Sequence, residues 1–220
     1  MIRRLYLIGR NVIMARGGLQ PKGTYWYSRN GNRFADKPDF LLPMPNVAGF
    51  INGVLRQFWE KHGLGRLSLL VSESKRVRSQ MQTRYPNTQF VSTDLFASLL
   101  GDGPESGPDV TWDVCKDPPA ALRKERFDSV IAHALLEHVV NPVFAIENFF
   151  SLMSPKSHCY LMTHTPSFHY HAYPRDYVRF HHDFFEDLPA YLRERHGYIV
   201  ELEELYSKEG TICVCYARNT

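Results

Sequence analysis

Short apolar runs alternate with helix-period segments through the last three quarters of this chain, and no other feature narrows its fold as much. "RLSLLVS" (66–72), "TQFVSTD" (88–94), "DVTWDVC" (109–115), "RFDSVIAHAL" (126–135) and "HCYLMTHTP" (158–166) have the length and apolar content of buried parallel strands. Between and around them the spacing is helical. Asn46 can cap a helix in which Val47, Phe50, Ile51, Val54, Leu55 and Phe58 recur on one face, ending near "HGLG". Lys75 to Tyr85 reads as a basic helix, and Pro142 suits the first turn of another that starts at Asn141. The tail holds a helix around "HHDFFEDLPAYLRERHG", then "YIVELEELYS", the turn "KEG" and "TICVCYAR", an antiparallel hairpin. This order predicts the α/β class: a Rossmann-like, doubly wound sheet, mostly parallel, with an antiparallel C-terminal edge hairpin.

A chain of 220 residues with 44% hydrophobic content suits one such domain. Residues 46–220 are assigned to it, and residues 1–45 to an N-terminal arm. The net charge of +3 conceals an uneven distribution. Arg3, Arg4, Arg10, Arg16, Lys22, Arg29 and Arg33 lie in the first 35 residues with no acid among them. Tyr25, Trp26, Tyr27 and Phe34 are interleaved, a mixture suited to nucleic acid or another anionic partner, or to a solvated or partner-covering arm. The apolar "DFLLPMPNVAGF" (39–50) fits a lid over a pocket or an interface of a homo-oligomer. No apolar run approaches the ~20 residues of a membrane span and no signal peptide is evident, so a soluble, cytoplasmic protein is expected. Cys115, Cys159, Cys213 and Cys215 form no CxxC pair, and three of them fall in strand-like runs, as small buried hydrophobes do.

In this order the segments resemble the class I S-adenosylmethionine-dependent methyltransferases, of the type 11-like kind, over residues ~46–218 on the periodicity reading. "PNTQFVSTDLF" is similar to the family's second strand, "RFDSVIAHALLEHVVNP" to its fourth, and "FFSLMSPKSHCYLMTHTP" to the helix, turn and fifth strand that follow. "YPRDYVRF" (173–180) resembles a segment after the fifth strand in some bacterial-type members. The resemblance implies S-adenosyl-L-methionine as cofactor. It places Asp94 on the cofactor ribose, Asp113 and Val114 at the adenine, and Ala132, His133 and Ala134 at the methionine end. The bland counterparts are a cap of the next helix for Asp94 and a surface loop for Asp113. Asp128 is expected to be structural, with Glu137 and His138 at the pocket rim.

Two departures stand out. The family's Gly-rich turn after the first strand is here "LLVSESKR", with Ser72 and Ser74 at the glycine places and Glu73 between them. Serine takes φ above zero only with strain, so the turn is expected to differ in shape. The second is "SPKSH" (154–158) in place of a Pro-Gly-Gly turn, in a connection remote from the cofactor.

Methyl transfer from a sulfonium is an in-line displacement that needs alignment, and a base where the acceptor is a hydroxyl or amine. His138 and His171 are the candidate bases, with His164 and His169 nearby, while Asp176 and Tyr177 supply charge and hydrogen bonding. Solvent-facing loop histidines, and an internal Asp176–Arg179 ion pair with Tyr177 in the core, are the bland counterparts. The spacing of His164, His169 and His171 matches no established metal set, so no metal is expected. The leading expectation is methyl transfer to oxygen or nitrogen of a small-molecule or glycan-precursor acceptor. A catalytically degenerate scaffold or partner subunit, and an RNA-directed methyltransferase, are the rivals.

Overall fold

Consecutive residues in the central strands point to opposite faces, and both faces are apolar. In the computed structural model, which describes residues 25–27, 33–34, 53–95, 107–168, 175–208 and 210–220, Leu69 and Val71 pack on one side of the sheet and Leu70 on the other. Helices must therefore cover both sides. The elements run β1 (Tyr25–Tyr27), β2 (Arg33–Phe34), α1 (Gly53–His62), β3 (Leu67–Val71), α2 (Lys75–Arg84), β4 (Gln89–Asp94) and β5 (Val110–Thr111). They continue with α3 (Ala120–Arg123), β6 (Phe127–His133), a 3-10 turn (Leu136–His138), α4 (Pro142–Leu152), β7 (Met153–Thr163), α5 (His182–His196), β8 (Val200–Lys208) and β9 (Thr211–Arg218).

The strand order is β2-β1-β8-β9-β7-β6-β3-β4-β5. From β3 through β7 the pairings are parallel; β9 enters antiparallel between β7 and β8. The chain builds outward from β3 to β5, then returns to lay β6 on the other side of β3. Strand order reverses between β3 and β6, and a crevice opens beyond their carboxyl ends. Leu55, Phe58 and Trp59 of α1 and Met81 of α2 cover one face with Tyr160, Cys213 and Cys215. Phe149 and Phe150 of α4 and Phe184, Phe185 and Leu188 of α5 cover the other.

The expected fold is present, with three adjustments. The third apolar run yields only Val110–Thr111, because Asp113 Oδ1 accepts from the Cys115 N–H at 3.0 Å and turns the chain off the sheet edge. β7 begins at Met153, directly after α4, so "SPKSH" lies within the strand as an irregularity against β6. Lys156 takes φ 59 there, the left-handed conformation for which a glycine would be better suited. The C-terminal hairpin does not end the sheet, since β1 pairs antiparallel with β8 over Tyr25–Tyr27 and β2 pairs with β1. Asn46, the apolar segment 39–50 and the rest of the basic arm lie outside the described residues. The four cysteines are free thiols, and Cys159, Cys213 and Cys215 are fully buried. No helix among the described residues is long and apolar enough to cross a membrane.

Candidate functional site

At the switch point between β3 and β6 lies a cavity of about 590 Å³. Ser72, Asp94, Asp113, Val114, Ala134, His138 and Tyr177 line it, so seven of the sequence-derived candidates meet in one place. Leu95, Trp112, Cys115, Leu135, Val139, Val140 and Arg175 complete the wall.

The β3–α2 turn builds the floor. Ser72 follows the last strand residue with φ 62, the left-handed conformation that glycine adopts most readily, here held by a serine. Left-handed backbone costs a non-glycine residue about 1–2 kcal/mol. The flanking contacts enforce it: the Glu73 N–H donates to Thr93 O at 2.9 Å, and the Ser74 hydroxyl caps α2 by accepting from the Val77 N–H at 3.3 Å. Ser74 is thereby committed to the helix, and neither it nor Glu73 lines the cavity. The Glu73 carboxyl is pushed up to about 8 by its removal from water and then by the charge of Asp94.

Asp94 ends β4 and turns its carboxylate to the Leu95 N–H at 2.6 Å, while its carbonyl accepts from the Trp112 N–H at 2.8 Å. The opposite wall is an Asx turn centred on Asp113, whose carboxylate also stands 3.4 Å from Lys116 Nζ. Asn148 of α4 donates to the carbonyls of Val114 and Lys116, both at 3.0 Å, and the Trp112 indole donates to the Lys116 carbonyl at 3.0 Å. A buried helix side chain and a buried indole thus fix this loop. The sequence singles out Asp113; Trp112 and Cys115, which line the same cavity, are not among its candidates.

Past β6, Ala134 takes φ 51 and donates its N–H to Met162 O at 2.9 Å. His133, one residue earlier, does not line the cavity. Burial, and then the neighbouring His164, lower its pKa to about 4, so its ring is neutral near pH 7. Glu137 corrects an expectation: it is fully buried and turned inward, away from the rim. Thr163 Oγ1 donates to its Oε2 at 2.6 Å, and His164 Nε2 stands 3.2 Å from its Oε1. His138, next in the 3-10 turn, lines the cavity while its Nδ1 meets Arg175 O at 2.7 Å. A carbonyl only accepts, so Nδ1 carries the proton and the lone pair of the neutral ring lies on Nε2. Oε1 of Glu137 is 3.8 Å from that Nε2.

The segment 175–180 docks over this turn, with the Tyr177 N–H on Glu137 O at 2.8 Å and the Phe180 N–H on His164 O at 3.0 Å. Val178 and Phe180 are buried in the core, which leaves Tyr177 and Arg175 at the cavity. Asp176 is bidentate with Arg179 and nearly inaccessible, the ion-pair alternative read from the sequence. His169 and His171 lie outside the described residues.

Solved structures share this architecture. A SAM-dependent methyltransferase from Archaeoglobus fulgidus aligns over 74% of this chain and 91% of its own, with TM-score 0.55 and 11% identity. A TehB-like SAM-dependent methyltransferase from Corynebacterium glutamicum aligns over 78% and 90%, with TM-score 0.53 and 15% identity. The plantazolicin methyltransferase BamL, solved with a desmethyl-plantazolicin analog and S-adenosylhomocysteine, aligns over 70% and 77%, with TM-score 0.52 and 12% identity. No family model matches the sequence, and no curated protein sequence does. The chain therefore has the fold of the class I SAM-dependent methyltransferases.

Proposed function

We propose that the protein is an S-adenosylmethionine-dependent methyltransferase acting on an oxygen or nitrogen of a small-molecule or glycan-precursor acceptor. The observation that carries this reading is the placement of two carboxylates, Asp94 at the end of β4 and Asp113 after β5, on the wall of the switch-point cavity, with Ser72 and Ala134 on the same wall. Structural neighbours include a methyltransferase solved with S-adenosylhomocysteine.

The residues present suit that cofactor. Asp94 would accept hydrogen bonds from the ribose hydroxyls, a charge-assisted pairing. Trp112, Val114 and Leu95 offer apolar surface to the adenine, beside the Asp113 carboxylate. The left-handed turns at Ser72 and Ala134 bring backbone toward the methionine end. When bound, the cofactor supplies the electrophilic methyl group.

His138 is the base in this reading. Nδ1–H bonds to Arg175 O and orients the ring, and Nε2 takes the acceptor proton as the acceptor attacks. Tyr177 would orient the acceptor. The alternatives make different predictions. Titration calorimetry with S-adenosylhomocysteine is expected to show micromolar binding that Asp94→Ala abolishes. Absence of heat with the wild-type protein would refute the reading and favour a scaffold role. Salt-sensitive RNA binding that depends on residues 1–35 would favour an RNA substrate.

A further inference from the structure

A second group of polar side chains meets on the α1 side of the sheet, and none of them lines the cavity. His62 closes α1, His158 lies in β7, Glu203 and Glu204 in β8, and Cys215 in β9. His62 Nδ1 is 2.8 Å from Glu203 Oε2, and His158 Nε2 is 3.4 Å from the same oxygen. A ligand atom from each of His62, Glu203 and Cys215 falls within 4.8 Å of the other two. We propose that these groups form a zinc site, with His62 Nδ1, Glu203 Oε2 and Cys215 Sγ as ligands and His158 Nε2 as the fourth.

Lys61 and His62 opposite Glu203 and Glu204 would make an adequate ion-pair cluster without any metal. Three features go beyond what an ion pair requires. A thiol from β9 lies within reach of both His62 and Glu203, and a second imidazole, His158 of β7, meets the same Glu203 oxygen. The other nitrogen of His62, Nε2, faces Glu204 Oε1 at 3.3 Å, the outer carboxylate that typically orients a metal-bound histidine and fixes its tautomer. The β8 register also shifts between Leu202 and Glu204, so that two consecutive glutamates reach one imidazole. Bulges of this kind re-aim side chains.

The donor set selects the ion. One sulfur, two imidazoles and one carboxylate suit zinc in four-coordinate geometry and suit magnesium or calcium poorly. On binding, the Cys215 thiol loses its proton to solvent and a sulfur–metal bond forms; no oxidation occurs. A thiolate and a carboxylate then balance the dication. His62 and His158, with side chains 14% and 23% exposed, offer a way in from solvent.

Cobalt(II) is the probe, added to the purified, metal-stripped full chain and followed by absorption. One equivalent is expected to bind with a thiolate charge-transfer band and the intense visible bands of four-coordinate cobalt, both lost when zinc is added. Cys215→Ser should remove the charge-transfer band. Glu204→Gln leaves all four ligands in place and should weaken zinc binding about 10–100-fold. A folded wild-type protein that takes up no stoichiometric cobalt, or a thiolate band that survives Cys215→Ser, would overturn the assignment. The wild-type spectrum decides the matter even if a variant does not fold.

Discussion

Glu73 is held against the end of β4 by its N–H bond to Thr93 O at 2.9 Å, and its carboxyl feels the charge of Asp94 next in that strand. Two acids thus share the floor of the cofactor-side turn. Loss of water, then the Asp94 charge, raise the Glu73 pKa from 4.5 to about 8, so the folded protein keeps a proton that the unfolded chain gives up. The contribution of this group to folding stability is accordingly present in full below pH 4.5 and is lost as pH rises toward about 8. Glu73→Gln is expected to flatten this slope and to be roughly 1–3 kcal/mol more stable than wild type at pH 8. Thermal melts of both proteins across that range would check it; parallel curves would refute the buried-proton account.

Ser72, Ala134 and Lys156 occupy left-handed backbone with side chains attached. Lys156 is exposed and remote from the cavity, so it isolates the strain from function. Lys156→Gly should raise stability by up to about 1 kcal/mol, the left-handed penalty less the extra entropy of an unfolded glycine. That is about 2–4 °C in melting temperature for a domain of this size. Ser72→Gly should gain similarly without weakening S-adenosylhomocysteine binding in calorimetry.

The strands were legible because both faces of the sheet are buried, which leaves near-continuous apolar runs such as Ser68–Val71 and Ser129–Ala132. Asp94 and Asp113 were legible through the order of the motifs around them, since taken alone a helix cap and a surface loop account for them. Glu137 was misplaced because sequence spacing does not say that the 3-10 turn buries residue 137 against Thr163 and His164 while residue 138 reaches the cavity. That Ser72 adopts left-handed backbone was not legible, because the preference for glycine there is local, while the hydrogen bonds of Glu73 and Ser74 that hold the turn depend on β4 and α2. The cluster around His62 was invisible, since its members are scattered over four elements and a register shift.

Asp176 illustrates how a motif residue can serve the site indirectly. Both its oxygens engage Arg179, whose guanidinium also donates to Val178 O at 2.9 Å and lies over the Phe168 ring. Asp176→Asn removes the countercharge from a part-buried guanidinium and should lower stability by about 1–3 kcal/mol. Cofactor affinity should hold, because Asp176 does not line the cavity. Unchanged melting together with lost S-adenosylhomocysteine binding would instead place Asp176 in the site.

Asp128 sits at the start of β6 for a structural reason that a double substitution can expose. Its Oδ2 accepts from the N–H groups of Arg66 and Leu67 at 2.8 and 3.2 Å, which ties the entry of β3 to β6. Gly65 makes room for this: it has φ +71, and a Cβ there would lie 2.2 Å from Asp128 Cβ. Gly65→Ala should therefore cost about 3 kcal/mol or more, from overlap and left-handed strain together. Since the clash is with Cβ, Asp128→Ala cannot relieve it. Asp128→Gly removes that atom and should recover part of the loss, despite giving up both hydrogen bonds. Chemical denaturation of the two double variants compares them directly, and equal stability would show that overlap is not what keeps glycine at position 65.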